Sequence, residues 1–283
     1  MQFFVSVFNF VAAQMNIPTN FDIFHLSWIG FVLVASILLV CLCKNFNEKG
    51  VSKIALGLWI TIVVLEVIKQ IVFGFTVNDG ALVWDFAWYA FPFQFCSSPL
   101  YILPLVAFVK EGKVRDAAIV FLATFSLFAG LCVYVYPNDV FTFFTFINHQ
   151  TMFHHGVQIF FGIYLAFRYR DKLNLKGLVG GTIVFSALAA TALIMNVIVY
   201  NAFSALEIPD IFNMFFISPY YDCTLPVLSL VYGAVPYPAF LCIYIFGFML
   251  CAGLVMLIMK GVILLTDKVG KLTQKTKKST NEA

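Results

Sequence analysis

The sequence predicts an all-α polytopic membrane protein: seven transmembrane helices, N-terminus outside, C-terminus cytoplasmic. Three observations predict it. Hydrophobic residues make up 62% of the chain and charged residues only 11%, whereas a soluble domain is about half apolar and roughly a quarter charged. Several apolar runs exceed the ~20 residues that a helix needs to cross a bilayer. The basic residues are also segregated. Of the 17 Lys and Arg, all but Lys69 fall in the first, third and fifth inter-span loops or at the C-terminal end. The opposite loops carry Asp79, Asp85, Asp139, Glu207, Asp210 and Asp222 and no basic residue. Positive loops stay cytoplasmic, which sets the orientation.

The spans fall at 24–43, 54–75, 86–109, 116–136, 146–167, 179–200 and 238–265. Residues 1–20 hold Phe3, Phe4, Phe8 and Phe10 but no basic residue. That is unlike a secretory signal and suits an interfacial segment on the outer face. Residues 21–265 form one seven-helix domain, and the Lys-rich residues 266–283 form a disordered cytoplasmic tail touching anionic headgroups. The expected location is the cell membrane. No nucleic-acid partner, cofactor or metal is expected.

The first span opens with His25, preceded by Asp22. The second holds Glu66, Lys69 and Gln70. Glu66 and Lys69 share a helical face, and intramembrane charges mark function by default, although a structural ion pair reads equally well. The third span contains FPFQFCSSPLYILPL, with Pro92, Pro99 and Pro104 around Cys96, Ser97 and Ser98. Backbone freed by proline must find partners in protein or in a wet cavity, so this span should face inward. The fourth span reads as packing and lipid contact. The fifth begins INHQTMFHHG, carrying Asn148, His149, Gln150, His154 and His155. At 1.5 Å per residue, Glu66 lies about 18 Å from its cytoplasmic end, and Cys96 and His155 about 15 Å and 14 Å from the outer face. All three can meet in one outer-half cavity. The sixth span contains Asn196. A long apolar connection, Asn201 to Tyr237, then carries five prolines with Pro238; it suits re-entrant or interfacial pieces that close over the cavity. Gly247, Gly253 and Gly261 permit close packing of the last span. No internal repeat supports an inverted-repeat transporter.

A thiol, an imidazole and a carboxylate at one depth suggest nucleophilic acyl transfer. Cysteine attacks as thiolate beside a histidine, which then returns the proton to the leaving group. Cys96 as the nucleophile and His155 as the base, oriented by Glu66 or His149, would act on a lipid ester. Backbone N–H groups near Ser97 and Ser98 would hold the oxyanion. The plain alternative is a buried apolar cysteine and hydrogen-bonding histidines. A second class is a small-molecule transporter or substrate-binding subunit using Glu66 and Lys69. A third, a zinc hydrolase with three of His25, His149, His154 and His155 around the ion and an open water position, is disfavoured because adjacent His154 and His155 diverge by about 100° on a helix.

The chain resembles the YwaF-type integral membrane proteins of bacteria, which are related to eukaryotic transmembrane protein 164. The resemblance rests on FQFCSSPLYILPL, on Gln150 to His155 as a Q-x4-H pattern, on His25, on Asn213, and on Pro226 to Tyr237 with Gly233 and Pro236. It covers His25 to about Leu265. The eukaryotic relative is an acyltransferase of glycerophospholipids with a catalytic Cys. A more distant likeness is to androgen-induced membrane hydrolases of fatty-acid esters. The resemblance implies Cys96 as nucleophile and His155 as base, with His154 a departure that leaves the choice between them open. It implies a membrane phospholipid or another acyl lipid as partner. His25, Lys69, Ser97, Ser98, His149, Asn148, Gln150 and Asn213 are the candidate substrate-contacting residues.

Overall fold

The computed structural model describes residues 2–281, with side chains described through Thr273. Ten helices are described: α1 Gln2–Val11, α2 Ile23–Cys43, α3 Glu48–Val72, α4 Pro99–Phe108, α5 Lys113–Phe121, α6 Leu127–Val135, α7 Thr145–Arg168, α8 Leu175–Ala205, α9 Leu228–Val231 and α10 Tyr237–Asn281. A π turn, Leu122–Ser126, joins α5 to α6 without a break. The chain is a multi-pass membrane protein. Among the described residues, five helices are long and apolar enough to cross a bilayer: α2, α3, the α5–α6 rod, α8 and α10 through Thr273. The other two expected spans depart for different reasons. α7 has the length, at 24 residues, but is polar on the face it buries. The third span is only part helix.

That third region differs most from a regular span. Phe86 to Gln94 is not a transmembrane helix; apart from a single 3-10 turn at Trp88–Ala90 it is irregular. A second 3-10 turn, Phe95–Ser97, leads through Ser98 into α4, with Pro99 at its first position. Proline fits there because its missing N–H would be unpaired anyway. Phe95–Phe108 spans about 21 Å at 1.5 Å per residue, too short for a full crossing. Just before it stands a hairpin, β1 Phe75–Asn78 and β2 Ala81–Trp84, paired Phe75 with Trp84. Its turn residues, Asp79 (φ 50°) and Gly80 (φ 76°), both have positive φ, as a two-residue type I′ turn requires.

α7 is the centre of the bundle. Seventeen of its residues are buried, packed by α2, α3 and the α5–α6 rod. The rod is the most buried of the five apolar helices; it is core, and the lipid contact expected of it is not found over Ala118–Leu127. Two glycines let it approach α7. A Cβ at Gly130 would sit 2.8 Å from the His155 carbonyl oxygen, and one at Gly162 would sit 2.9 Å from that of Leu122. Gln14 bridges Phe144, which ties the segment after α1 to the start of α7.

The 206–236 connection turns back into the protein. Phe212, Met214, Phe215 and Ile217 are buried, and Phe215 packs against Phe93, Phe95 and Phe185. Asn196 of α8 holds it, donating to the Met214 carbonyl at 3.0 Å and accepting the Met214 N–H at 2.7 Å. Phe215 and Phe216 both have positive φ, a conformation costing about 1–2 kcal/mol per residue that these contacts hold. At the opposite end, Glu48 accepts from Arg115, Arg168 and the Tyr169 hydroxyl, joining α3, α5 and α7. α10 runs on past Thr266 as helix, where a disordered tail was expected.

Candidate functional site

One face of α7 builds the site. Gln150, His154 and Gln158 follow at four-residue steps, so they stack along one stripe. Gln150 Nε2 donates to Glu66 Oε2 at 3.3 Å. His154 Nε2 meets the backbone carbonyl of Cys96 at 2.9 Å, and Gln158 Nε2 donates to the same oxygen. The stripe therefore connects α3 to the broken third region. All three residues are buried, and burial without partners would cost several kcal/mol each in a lipid setting. The α7 stripe and the irregular backbone at Cys96 thus satisfy one another.

A carbonyl oxygen only accepts, so the His154 nitrogen that meets it carries the proton. That leaves His154 Nδ1 as a lone pair, buried and without a partner. His155 is arranged the other way. Its Nδ1 meets the Thr151 carbonyl at 2.7 Å, so Nε2 is the lone pair, and it too is buried and unpartnered. The two rings lie 5.6 Å apart at 68°. In the neutral form each imidazole keeps one nitrogen free of any partner, as a general base needs. Thr151, not Glu66 or His149, holds the His155 ring.

Glu66 is engaged elsewhere. It is buried and pairs with Lys69 Nζ at 2.8 Å, while Gln70 Nε2 donates to the same oxygen at 2.6 Å and to the Ala90 carbonyl at 3.0 Å. Among the described residues no hydrogen bond joins the Cys96 thiol to either imidazole, and every cysteine is free, Cys223 included. The backbone donors expected to hold an oxyanion are spent inside the turn: Ser97 N–H on the Gln94 carbonyl at 2.8 Å and Ser98 N–H on that of Phe95 at 3.1 Å. Ser97 and Ser98 are buried, and Ser98 Oγ has no partner.

Next to Glu66 lies a cleft of about 650 Å³, walled by Trp59, Val63, Val67, Trp84, Leu100 and Tyr101 among others, with Glu66 and Gln70 as its polar patch. Trp84, Val67 and Tyr101 are exposed, so the cleft opens at the protein surface.

The remaining candidates lie apart. His149 is exposed and packs on Phe24 and Trp28 of α2. His25 is buried, and its Nδ1 accepts the Phe21 N–H at 3.0 Å, fixing the turn that leads into α2. Asn148 grips Thr142 through both its N–H and carbonyl, closing the start of α7. Asn213 organises the re-entrant loop by accepting from Ser218 N–H and donating to the Asp222 carbonyl. No group of three or more His, Cys, Asp or Glu able to hold a metal occurs among the described residues.

Two residues were missed by sequence reasoning. Gln158 is four residues beyond His154, and its spacing was the available signal. Gln94 pins the loop, donating to the Asn213 carbonyl at 3.0 Å and accepting the Phe215 N–H at 2.8 Å; nothing local announces a contact so distant in sequence.

No curated protein and no solved structure matches the chain. The model of the TMEM164 family matches it over residues 20–260, a stretch that holds the hairpin, the broken third region, the polar stripe of α7 and the re-entrant loop. The chain belongs to the TMEM164 family.

Proposed function

We propose that this protein is a membrane-embedded lipid acyltransferase or lipid ester hydrolase that works through an S-acyl intermediate on Cys96. The observation that carries the reading is the convergence of His154 and Gln158 on the Cys96 carbonyl, beside a second imidazole with a free nitrogen. His155 Nε2 takes the thiol proton. The thiolate attacks the ester carbonyl of an acyl lipid, and the lysolipid alkoxide leaves with that proton. A second hydroxyl, of a lysolipid or of water, then cleaves the thioester with the same histidine as base. His154 positions the Cys96 backbone. The acyl lipid enters from the cleft beside Glu66. In the membrane we place seven crossings, N-terminus outside, with the short α4 and the polar α7 completed by their neighbours; the cell membrane is the location that suits this arrangement.

The test is intact-protein mass of material purified with its native lipids, before and after neutral hydroxylamine. A fatty-acyl increment that hydroxylamine removes, absent in Cys96→Ala and in His155→Gln, is expected. An unmodified wild-type chain, still bare after incubation with mixed phospholipids, would sink the reading. A second reading, a small-molecule binding or transport subunit, is favoured by the Glu66–Lys69 pair beside the cleft. It requires that Cys96→Ser keep function while Glu66→Gln abolishes it.

A further inference from the structure

A second pocket lies at the other end of the bundle, where the basic residues gather. It has a volume of about 380 Å³ and is walled by Glu48, Glu111, Gly112, Arg115, Asp116, Arg168, Tyr169, Asp171 and Lys172. Two independent features make it a place for a phosphate. The first is the start of α5. Its N-cap is Gly112, and no side chain caps the helix. The first N–H groups of a helix have no partner within it, and such a terminus favours an anion. A Cβ built at Gly112 meets nothing within 4 Å, so the N-cap itself is open, and Gly112 lines the pocket. The second is Arg115, 2% exposed. Its Nε donates to the Val106 carbonyl at 3.1 Å and its Nη1 to Glu48 at 2.6 Å, but Nη2 is buried with no partner. A guanidinium N–H left without an acceptor in a buried setting is costly, and a phosphate oxygen would satisfy it with a charge-assisted bond.

The carboxylates decide what kind of phosphate. Glu48 is committed to Arg115, Arg168 and Tyr169, and Asp116 to Lys172 at 2.8 Å. Glu111 and Asp171 are exposed at the rim and have no basic partner among the described residues. A simple anion would face these two charges unfavourably. A group with a phosphate inside and an ammonium at the rim would satisfy both layers. We propose that this pocket binds the headgroup of an aminophospholipid, with the phosphate against the α5 N-terminus and Arg115 and the ammonium between Glu111 and Asp171. This site is separate from Cys96 and independent of the chemistry proposed there.

The test is native mass spectrometry of the full chain in detergent, titrated with phosphatidylethanolamine, phosphatidylcholine or phosphatidylglycerol. Phosphatidylethanolamine should be retained about tenfold over the others, the discrimination expected of one charge-assisted hydrogen bond. Glu111→Gln combined with Asp171→Asn should remove that preference and leave the melting temperature unchanged, because both residues are exposed. Arg115→Lys keeps the charge toward Glu48 and removes the third nitrogen, so retention of every phospholipid should fall. If that variant fails to fold, the rim double variant decides alone. Equal retention of the three lipids by the wild type, or a preference that survives the double variant, overturns the proposal. Soluble competitors separate the sources. Displacement of the lipid by glycerophosphoethanolamine supports headgroup recognition. Equal displacement by inorganic phosphate overturns the role of the ammonium. Binding of glycerophosphoethanolamine with no lipid retained overturns the assignment to a membrane lipid.

Discussion

Replacing Gly130 with alanine puts one methyl group between the α5–α6 rod and α7. The new Cβ would lie 2.8 Å from the His155 carbonyl oxygen, 2.9 Å from Gln158 Cβ and 3.0 Å from Ile159 Cγ1, against 3.4–4 Å for ordinary contact. Two of these neighbours are backbone or Cβ atoms, so α7 itself must retreat by roughly half an ångström. Overpacking of this kind costs about 1–3 kcal/mol. In water the same change would regain up to ~1 kcal/mol of helix propensity. In a bilayer the unpacked helix keeps its internal hydrogen bonds, so most of that gain cancels. The retreat falls on the stretch that holds the Cys96 carbonyl through His154 and Gln158. Gly57→Ala and Gly247→Ala are the controls, since a Cβ at either meets nothing within 4 Å. The assay is thermal unfolding in detergent followed with a thiol-reactive dye, which the free cysteines permit. At about 2–4 °C per kcal/mol for a chain of this order of size, Gly130→Ala should melt several degrees below wild type and lose hydroxylamine-sensitive acylation. The controls should do neither. A Gly130→Ala protein that melts with the wild type and acylates normally would refute the close approach of these helices as the device that seats the site.

Other outcomes follow from the same contacts. Glu66→Gln leaves Lys69 without its partner and should destabilise by about 3 kcal/mol, the low end of the range for breaking a buried pair, because Lys69 keeps 16% of its side chain exposed; adding Lys69→Met should recover most of the loss in a denaturation measurement. Asn196→Ala removes both bonds to the Met214 backbone and should cost about 1–3 kcal/mol, read as faster limited proteolysis between residues 206 and 236. Asp22 caps α2: burial pushes its carboxyl up, but backbone N–H bonds from His25 and Thr19 outweigh that and hold it below the usual 3.8. A depressed carboxylate contributes stability above its unfolded value and loses it as pH falls through the folded value. Wild type and Asp22→Ala should therefore differ by about 1 kcal/mol near neutrality and converge below pH 3.8, which melting curves across pH would show.

Much of the site was legible in the sequence because lipid makes polar residues conspicuous. The α7 face declared itself through Gln150, His154 and His155, and the broken third region through its three prolines around Cys96. The hairpin had a signal in Asp79 and Gly80 between β-forming residues, but a span drawn to residue 75 hid it. How far protein covers the α5–α6 rod was not readable, because an apolar helix looks alike from sequence whether it meets lipid or protein; Ala118–Leu127 is buried while Leu131 and Val135 stay exposed, and only Gly130, packed against α7, and buried Ser126 hinted at the extent of the packing. The roles of His25, Asn148 and Asn213 were not readable, because each bonds backbone that any residue could supply. His149 stands one residue before Gln150 of the buried stripe, and that step, about 100° of helix rotation, turns it outward.

Gln94 is joined to Asn213 and Phe215 across 119 and 121 residues of chain. At roughly 5–20 residues per second of synthesis, the turn carrying Cys96 waits about 6–24 s for the segment that completes it. During that interval the Gln94 amide and the irregular backbone before it need water or an insertion partner, since lipid cannot satisfy them. A ribosome that stops after α8 would release a chain whose helices α1 to α8 have formed around a polar gap. Quality control of this protein would then act on truncations late in the chain as severely as on losses near Cys96, and a proteolytic fragment ending at residue 205 should be cleared rather than accumulate.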